Sequence, residues 1–136
     1  MTALTLAVLE GRFAVCRLAA GSEVPPWIAQ ADTFLTVSRT PTELSIVADE
    51  SAVPAAMDAQ RGYRALRVEG PLPLELVGVL AAIATPLAAA RVPIFPIATY
   101  DTDYLLVPDA QLASAVSALL AAGHRVITRS EPVDGS

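Results

Sequence analysis

Lysine is absent from this chain, and cysteine and histidine occur once each, as Cys16 and His124. One cysteine excludes a disulfide within the chain, and one histidine with one cysteine excludes a zinc site of the usual Cys/His type. All nine basic residues are arginines, against fourteen acidic ones, for a net charge of -5. An acidic chain with scattered arginines repels a phosphate backbone, so nucleic acid is not an expected partner. The longest uncharged stretch, residues 76–90, contains Pro86 and is shorter than the roughly 20 residues a bilayer span requires. The apolar start at 3–9 is interrupted by Glu10 and Arg12 and has no basic n-region or cleavage site, so no signal peptide is expected. These absences point to a cytoplasmic protein without membrane contact. No phosphate-cradling glycine loop and no GxGxxG are found. No nucleophile motif accompanies His124, which reads as an ordinary strand-start residue. Cys16 reads as a small core residue.

What is present is apolar: 54% of the 136 residues, with 17% charged. That suffices for a core and is far from a disordered composition. Alternation and β-branched content predict strands at 4–9, 12–18, 34–39, 44–48, 63–69, 94–100, 103–107 and 125–128. Thr40-Pro41-Thr42 supplies a turn. Pro25 and Pro26 start a short helix carrying Trp27, Ile28 and Ala31. A second short helix is predicted over 53–60. A third follows Gly70-Pro71-Leu72-Pro73, with Val77, Leu80, Ala81, Ala84, Leu87 and Ala88 on one stripe. Pro86 should kink or restart it. A fourth, capped by Asp109, buries Leu112, Val116, Leu119 and Leu120 and ends at Gly123.

From residue 63 onward the order is β-α-β-β-α-β, the split-βαβ or ferredoxin-like unit. The order from 12 to 60 lacks one strand, which the N-terminal segment 4–9 can supply. The expected fold is therefore α+β: two ferredoxin-like βαββαβ modules, antiparallel four-stranded sheets with helices on one face. The first module spans 1–62, the second 63–128, and 129–136 form a loose tail. Units of roughly 60 residues are marginal alone, so a shared sheet, a shared core or a partner subunit is expected.

Two places can carry chemistry. Asp101-Thr102-Asp103 follows a strand end, where two carboxylates could hold an ammonium or guanidinium group. The alternative is a hairpin turn, because Asp and Thr satisfy turn backbones. The other place is the loop 70–78, which leads into a helix N-terminus whose free N–H groups favour a carboxylate. Gly78 permits close approach there, or only close packing of helix on sheet. The strand order alone does not fix whether the two loops meet. Glu69 and Glu75 flank the same loop, but no acid/base geometry follows from their spacing.

At these residues the sequence resembles the ACT-domain family, within it the CASTOR-type arginine-sensor branch and its bacterial relatives. The stretches that carry the resemblance are Glu43-Leu44-Ser45-Ile46-Val47, residues 63–70, Gly78-Val79-Leu80 with Thr85-Pro86-Leu87-Ala88, and residues 97–108. The last is the most specific. The resemblance implies an allosteric, non-enzymatic protein that binds an amino acid, arginine among the candidates, at a module or subunit interface, without a cofactor or metal. The family's ligand loop falls on Pro73, Leu74, Leu76, Val77, Gly78 and Val79, and its second ligand segment on Thr99, Tyr100 and Asp103. A partner module's contribution falls on Pro93 and Ile94. The family's sensor is similar to two copies of this chain in tandem, which implies a homodimer with sites between subunits. Pro73-Leu74 and Leu76 replace a more glycine-rich and acidic loop of the arginine sensor, which leaves the amino acid open. A ligand-free dimerisation or interaction module is the alternative.

Overall fold

A computed structural model describes residues 3–70, 72 and 77–127. The fold is α+β, and the chain divides into two compact units: Gly11–Tyr63, and Met1–Glu10 with Arg64–Ser136.

The Gly11–Tyr63 unit is built on strands β2 (Phe13–Ala19), β3 (Leu35–Arg39) and β4 (Glu43–Asp49). β4 lies between the other two and is antiparallel to both. Alternation places Ala14 and Cys16 from β2 and Leu44, Ile46 and Ala48 from β4 in one buried cluster, with Trp27, Ile28 and Met57 half-buried against it. Cys16 is therefore a core residue, and burial pushes its thiol above the ordinary range despite the nearby Arg61 charge. The short helix expected at Pro25 and Pro26 forms as a 3-10 helix, Pro26–Gln30, and a further 3-10 turn lies at Glu50–Ala52.

The predicted helix over 53–60 does not form. Met57 N–H closes a turn on the Pro54 carbonyl at 2.9 Å, and Arg61 Nη2 donates to the carbonyls of both residues. β5 (Ala59–Val68) begins just beyond. Its residues 59–63 pair with β2 through Cys16↔Ala59, Val15↔Gln60 and Phe13↔Tyr63. The strand missing from the first module thus comes from β5 and not from the N-terminus.

β1 (Thr5–Val8) joins the second unit instead. It runs antiparallel to β5 (Leu6↔Val68, Val8↔Leu66) and parallel to β8 (Arg125–Ile127), with Leu6 opposite Val126. One pair is thus parallel where antiparallel sheets were expected. With β6 (Phe95–Ala98) and β7 (Asp103–Pro108), the strand order of this unit is β6-β7-β5-β1-β8. Helices α1 (Val79–Ala89) and α2 (Leu112–Ala121) pack on it. The core joins Leu6, Val8, Leu66, Val68, Leu105 and Val107 to Val79, Ile83 and Leu87 of α1 and to Ala115 and Leu119 of α2.

The buried stripe of α1 is therefore 79/83/87: of the expected stripe Leu87 is buried, whereas Val77 and Leu80 are exposed. Leu120 of α2 is exposed as well. Where alanine covers most of a helix, several phases look equally apolar, and the largest side chains choose among them. Pro86 lies inside α1 without ending it. It has no N–H for the Ala82 carbonyl four residues back, and the His124 ring meets that carbonyl at 3.0 Å.

Candidate functional site

β5 and β7 are neighbours, so the end of β5 and the start of β7 lie side by side. The hairpin joining β6 to β7 is fastened by Thr99, whose N–H and Oγ1 both donate to the Thr102 carbonyl at 2.9 Å. Thr102 is 7% exposed, and its hydroxyl donates to the Val68 carbonyl at 2.7 Å. Leu72 N–H donates to the Asp101 carbonyl at 2.8 Å. A Cβ on Gly70 would stand 3.0 Å from Leu72 N and 3.2 Å from Thr102 Cβ. Glycine suits this close approach of Gly70 and Leu72 to Asp101 and Thr102. The exit of β5 and the acidic hairpin tip are thus one structure.

Asp101-Thr102-Asp103 does serve as a hairpin turn, but through Thr102 and the backbone. No described residue pairs with the carboxylate of Asp101 or Asp103, and Asp101 is exposed and Asp103 half-buried. Tyr100 beside them is 81% exposed. Glu69, one residue beyond the end of β5, is already held by Arg67 at 2.9 Å.

Val77 is 87% exposed, Gly78 stands at the N-cap of α1 with φ 85°, and Val79 is buried in the core. Only a residue tolerant of the left-handed region sits easily at that cap. No side chain caps the helix, and its first turn holds no acidic residue. Among the described residues, the leading N–H groups of α1 therefore have no side-chain acceptor. Pro73, Leu74 and Leu76 lie outside the described residues.

Pro93 and Ile94 are not brought to the tip. β6 and β7 pair as Phe95↔Leu106 and Ala98↔Asp103, so Ile94 lies beyond the far end of β6. At about 3.3 Å per residue, that is roughly 13 Å along the strand from Ala98. Ile94 packs on the core, and Pro93 is exposed. Sequence reasoning missed Gly70 and Thr102 as the residues that join loop and tip. A glycine just before Pro71 was the available sign of close approach.

Chemically, the arrangement offers carboxylates near a strand exit and N–H groups at a helix start that no described side chain pairs with. It offers no nucleophile with a base: Cys16 is buried in the other unit's core, and both His124 nitrogens are engaged. No metal-ligand cluster occurs among the described residues. No helix among them is long and apolar enough to cross a membrane.

The family model described as ACT domain matches residues 58–121, which include every described candidate residue. A second model, of an N-terminal domain, matches residues 11–56. Among solved structures, a protein from Agobacterium tumefaciens is 27% identical, with a TM-score of 0.89 over 96% of this chain and 97% of its own. The ligand-free regulatory subunit of aspartate kinase from Thermus thermophilus is 14% identical, with a TM-score of 0.59 over 87% of this chain and 97% of its own. Aspartate kinase from Clostridium acetobutylicum, described as an allosteric enzyme, is 14% identical; its TM-score is 0.63 over 86% of this chain and 34% of its own. At that identity the two kinases share the fold alone.

Proposed function

We propose that this protein is an amino-acid-binding regulatory protein of the cytoplasm, not an enzyme. The observation that carries the reading is the junction of Gly70 and Leu72 with Asp101 and Thr102, beside carboxylates that no described residue pairs with. A zwitterion needs both signs of partner. Uncapped N–H groups at the start of α1 suit its carboxylate, and Asp103 suits its ammonium or a cationic side-chain end. Pro73, Leu74, Leu76, Val77, Gly78, Val79, Thr99 and Tyr100 complete that side of the proposed site. The match to the ACT-domain model across 58–121 supports this reading.

Pro93 and Ile94 contribute only from a second copy of the chain, because their own strand carries them away from Asp103. The proposed assembly is accordingly a homodimer, two copies of this chain standing where the CASTOR-type sensor has two in tandem, with arginine the first ligand to try. Ligand shifts the dimer or partner equilibrium by its differential affinity for the two states.

A thermal-shift screen of the standard amino acids tests this. A binder at a hundredfold excess over its dissociation constant stabilises by about 2.7 kcal/mol. Asp103→Ala abolishes the shift and keeps the fold. The exposure of Val77 and Tyr100 favours a second reading, an interaction module without ligand, which a screen without any shift would support.

A further inference from the structure

β3 stands last in the strand order and pairs with β4 alone among the described residues. Its register is unbroken from Leu35↔Ala48 to Arg39↔Leu44. One pair further on, the Thr40 N–H donates to the Glu43 carbonyl at 2.9 Å. Bonded pairs alternate along an antiparallel ladder, so Thr36 and Ser38 bond to β4. The N–H and C=O groups of Leu35, Val37 and Arg39 therefore point away from β4, to the free edge. The other side of β4 keeps the same phase. There the Glu50 N–H donates to the Arg12 carbonyl at 2.8 Å, which assigns Ile46 and Ala48 to β2.

The side chains of this edge are apolar. Leu35 and Val37 stand opposite Ala48 and Ile46 and share the face of the buried cluster, yet they are 40% and 38% exposed. Proteins blunt a free edge with proline, charge or a bulge. β6, at the edge of the other unit, does so. Thr99 bonds to Thr102, so by the same alternation Phe95 and Ile97 bond to β7 and Pro96 faces outward, where it offers no N–H. β3 has no proline and no bulge, and its sole charge is Arg39, at its last position.

We propose that β3 is a strand-addition edge whose occupant is β3 of a second copy of this chain, antiparallel, with the two-fold axis at Val37. Val37 then faces the second copy's Val37, and Leu35 faces the second copy's Arg39. Every outward N–H meets an outward carbonyl, and none is left over. A shift of two residues in either direction loses a donor. One shift needs the Thr33 N–H, which Asp49 already holds at 3.0 Å; the other needs an N–H from Pro41, which has none. Charge sets the direction: antiparallel pairing turns each Arg39 toward the end that carries the exposed Asp32, whereas parallel pairing sets Arg39 beside Arg39. The alkyl stem of the second copy's Arg39 covers Leu35. This interface uses none of the residues assigned to the ligand, so it goes beyond that reading and does not depend on it.

Sedimentation and backbone hydrogen exchange on the whole chain test this. In wild type the Leu35, Val37 and Arg39 amides are expected to exchange about tenfold more slowly at high than at low protein concentration, because pairing with the second copy is what protects them. Val37→Pro is tolerated at an outward position of an edge strand. It should halve the particle mass and free the Leu35 and Arg39 amides, with Ile46 of β4 still protected. Val37→Arg keeps every N–H but sets two like charges on the axis, and it should also halve the mass; it serves where the proline variant fails to fold. Amides at 35, 37 and 39 that exchange freely in wild type at every concentration overturn the proposal. So does a folded variant of either kind that keeps the wild-type mass.

Discussion

The two units treat their polar side chains differently. In the Gly11–Tyr63 unit the carboxylate of Asp49 is 7% exposed and accepts from the Phe34 N–H at 2.9 Å and the Thr33 N–H at 3.0 Å. Burial opposes the charge, but the N–H donors of Phe34 and Thr33 outweigh it and hold the carboxyl below the ordinary range. Thr40 closes its own turn on Glu43, and Arg61 closes the turn at Pro54. These groups hold the fold. At the β6–β7 tip of the other unit Thr102 holds the fold, while Asp101 and Asp103 beside it hold nothing among the described residues. A carboxylate that no described residue holds is the better candidate for a ligand, because a ligand need not displace one of those partners.

The sharpest way to test that contrast is to remove one carboxylate of each kind. Asp49→Ala leaves two backbone N–H groups without their charged acceptor and should cost about 3 kcal/mol in urea unfolding. The carboxyl is held low in the fold, so its stabilisation is full above the unfolded value near 3.9 and is lost as pH falls through the folded value. Wild type should therefore lose more stability than Asp49→Asn on going from about pH 7 to about pH 3. Thr102→Val keeps the shape but orphans the Val68 carbonyl, for an expected loss of about 1–2 kcal/mol. Asp103→Ala should change stability by less than about 0.5 kcal/mol, as for a side chain without partners among the described residues. A loss at Asp103 as large as that at Asp49 would erase the distinction.

Local patterns carried much of this fold. The alternation of Leu44, Ile46 and Ala48 marks β4, and the Thr40 turn follows from its residues. The helix predicted over 53–60 failed because alanines suit a helix in isolation, whereas here the chain turns at Pro54 and enters β5 at Ala59. The place of β1 was not legible, since nothing in residues 4–9 says which distant strand they pair with. Alanine also hid the phase of α1. At the candidate site, the acidic tip and the helix start were legible as separate features. Their junction was not, because the Thr102–Val68 and Leu72–Asp101 bonds depend on β7 lying beside β5.

The most direct test is amide chemical-shift mapping on the nitrogen-15-labelled protein with each amino acid in turn, arginine first. The account predicts that one of them moves the amides of Gly70, Leu72, Gly78 and residues 99–103 and leaves β2, β3 and β4 in place. Shifts confined to those three strands, or none with any amino acid, would contradict it.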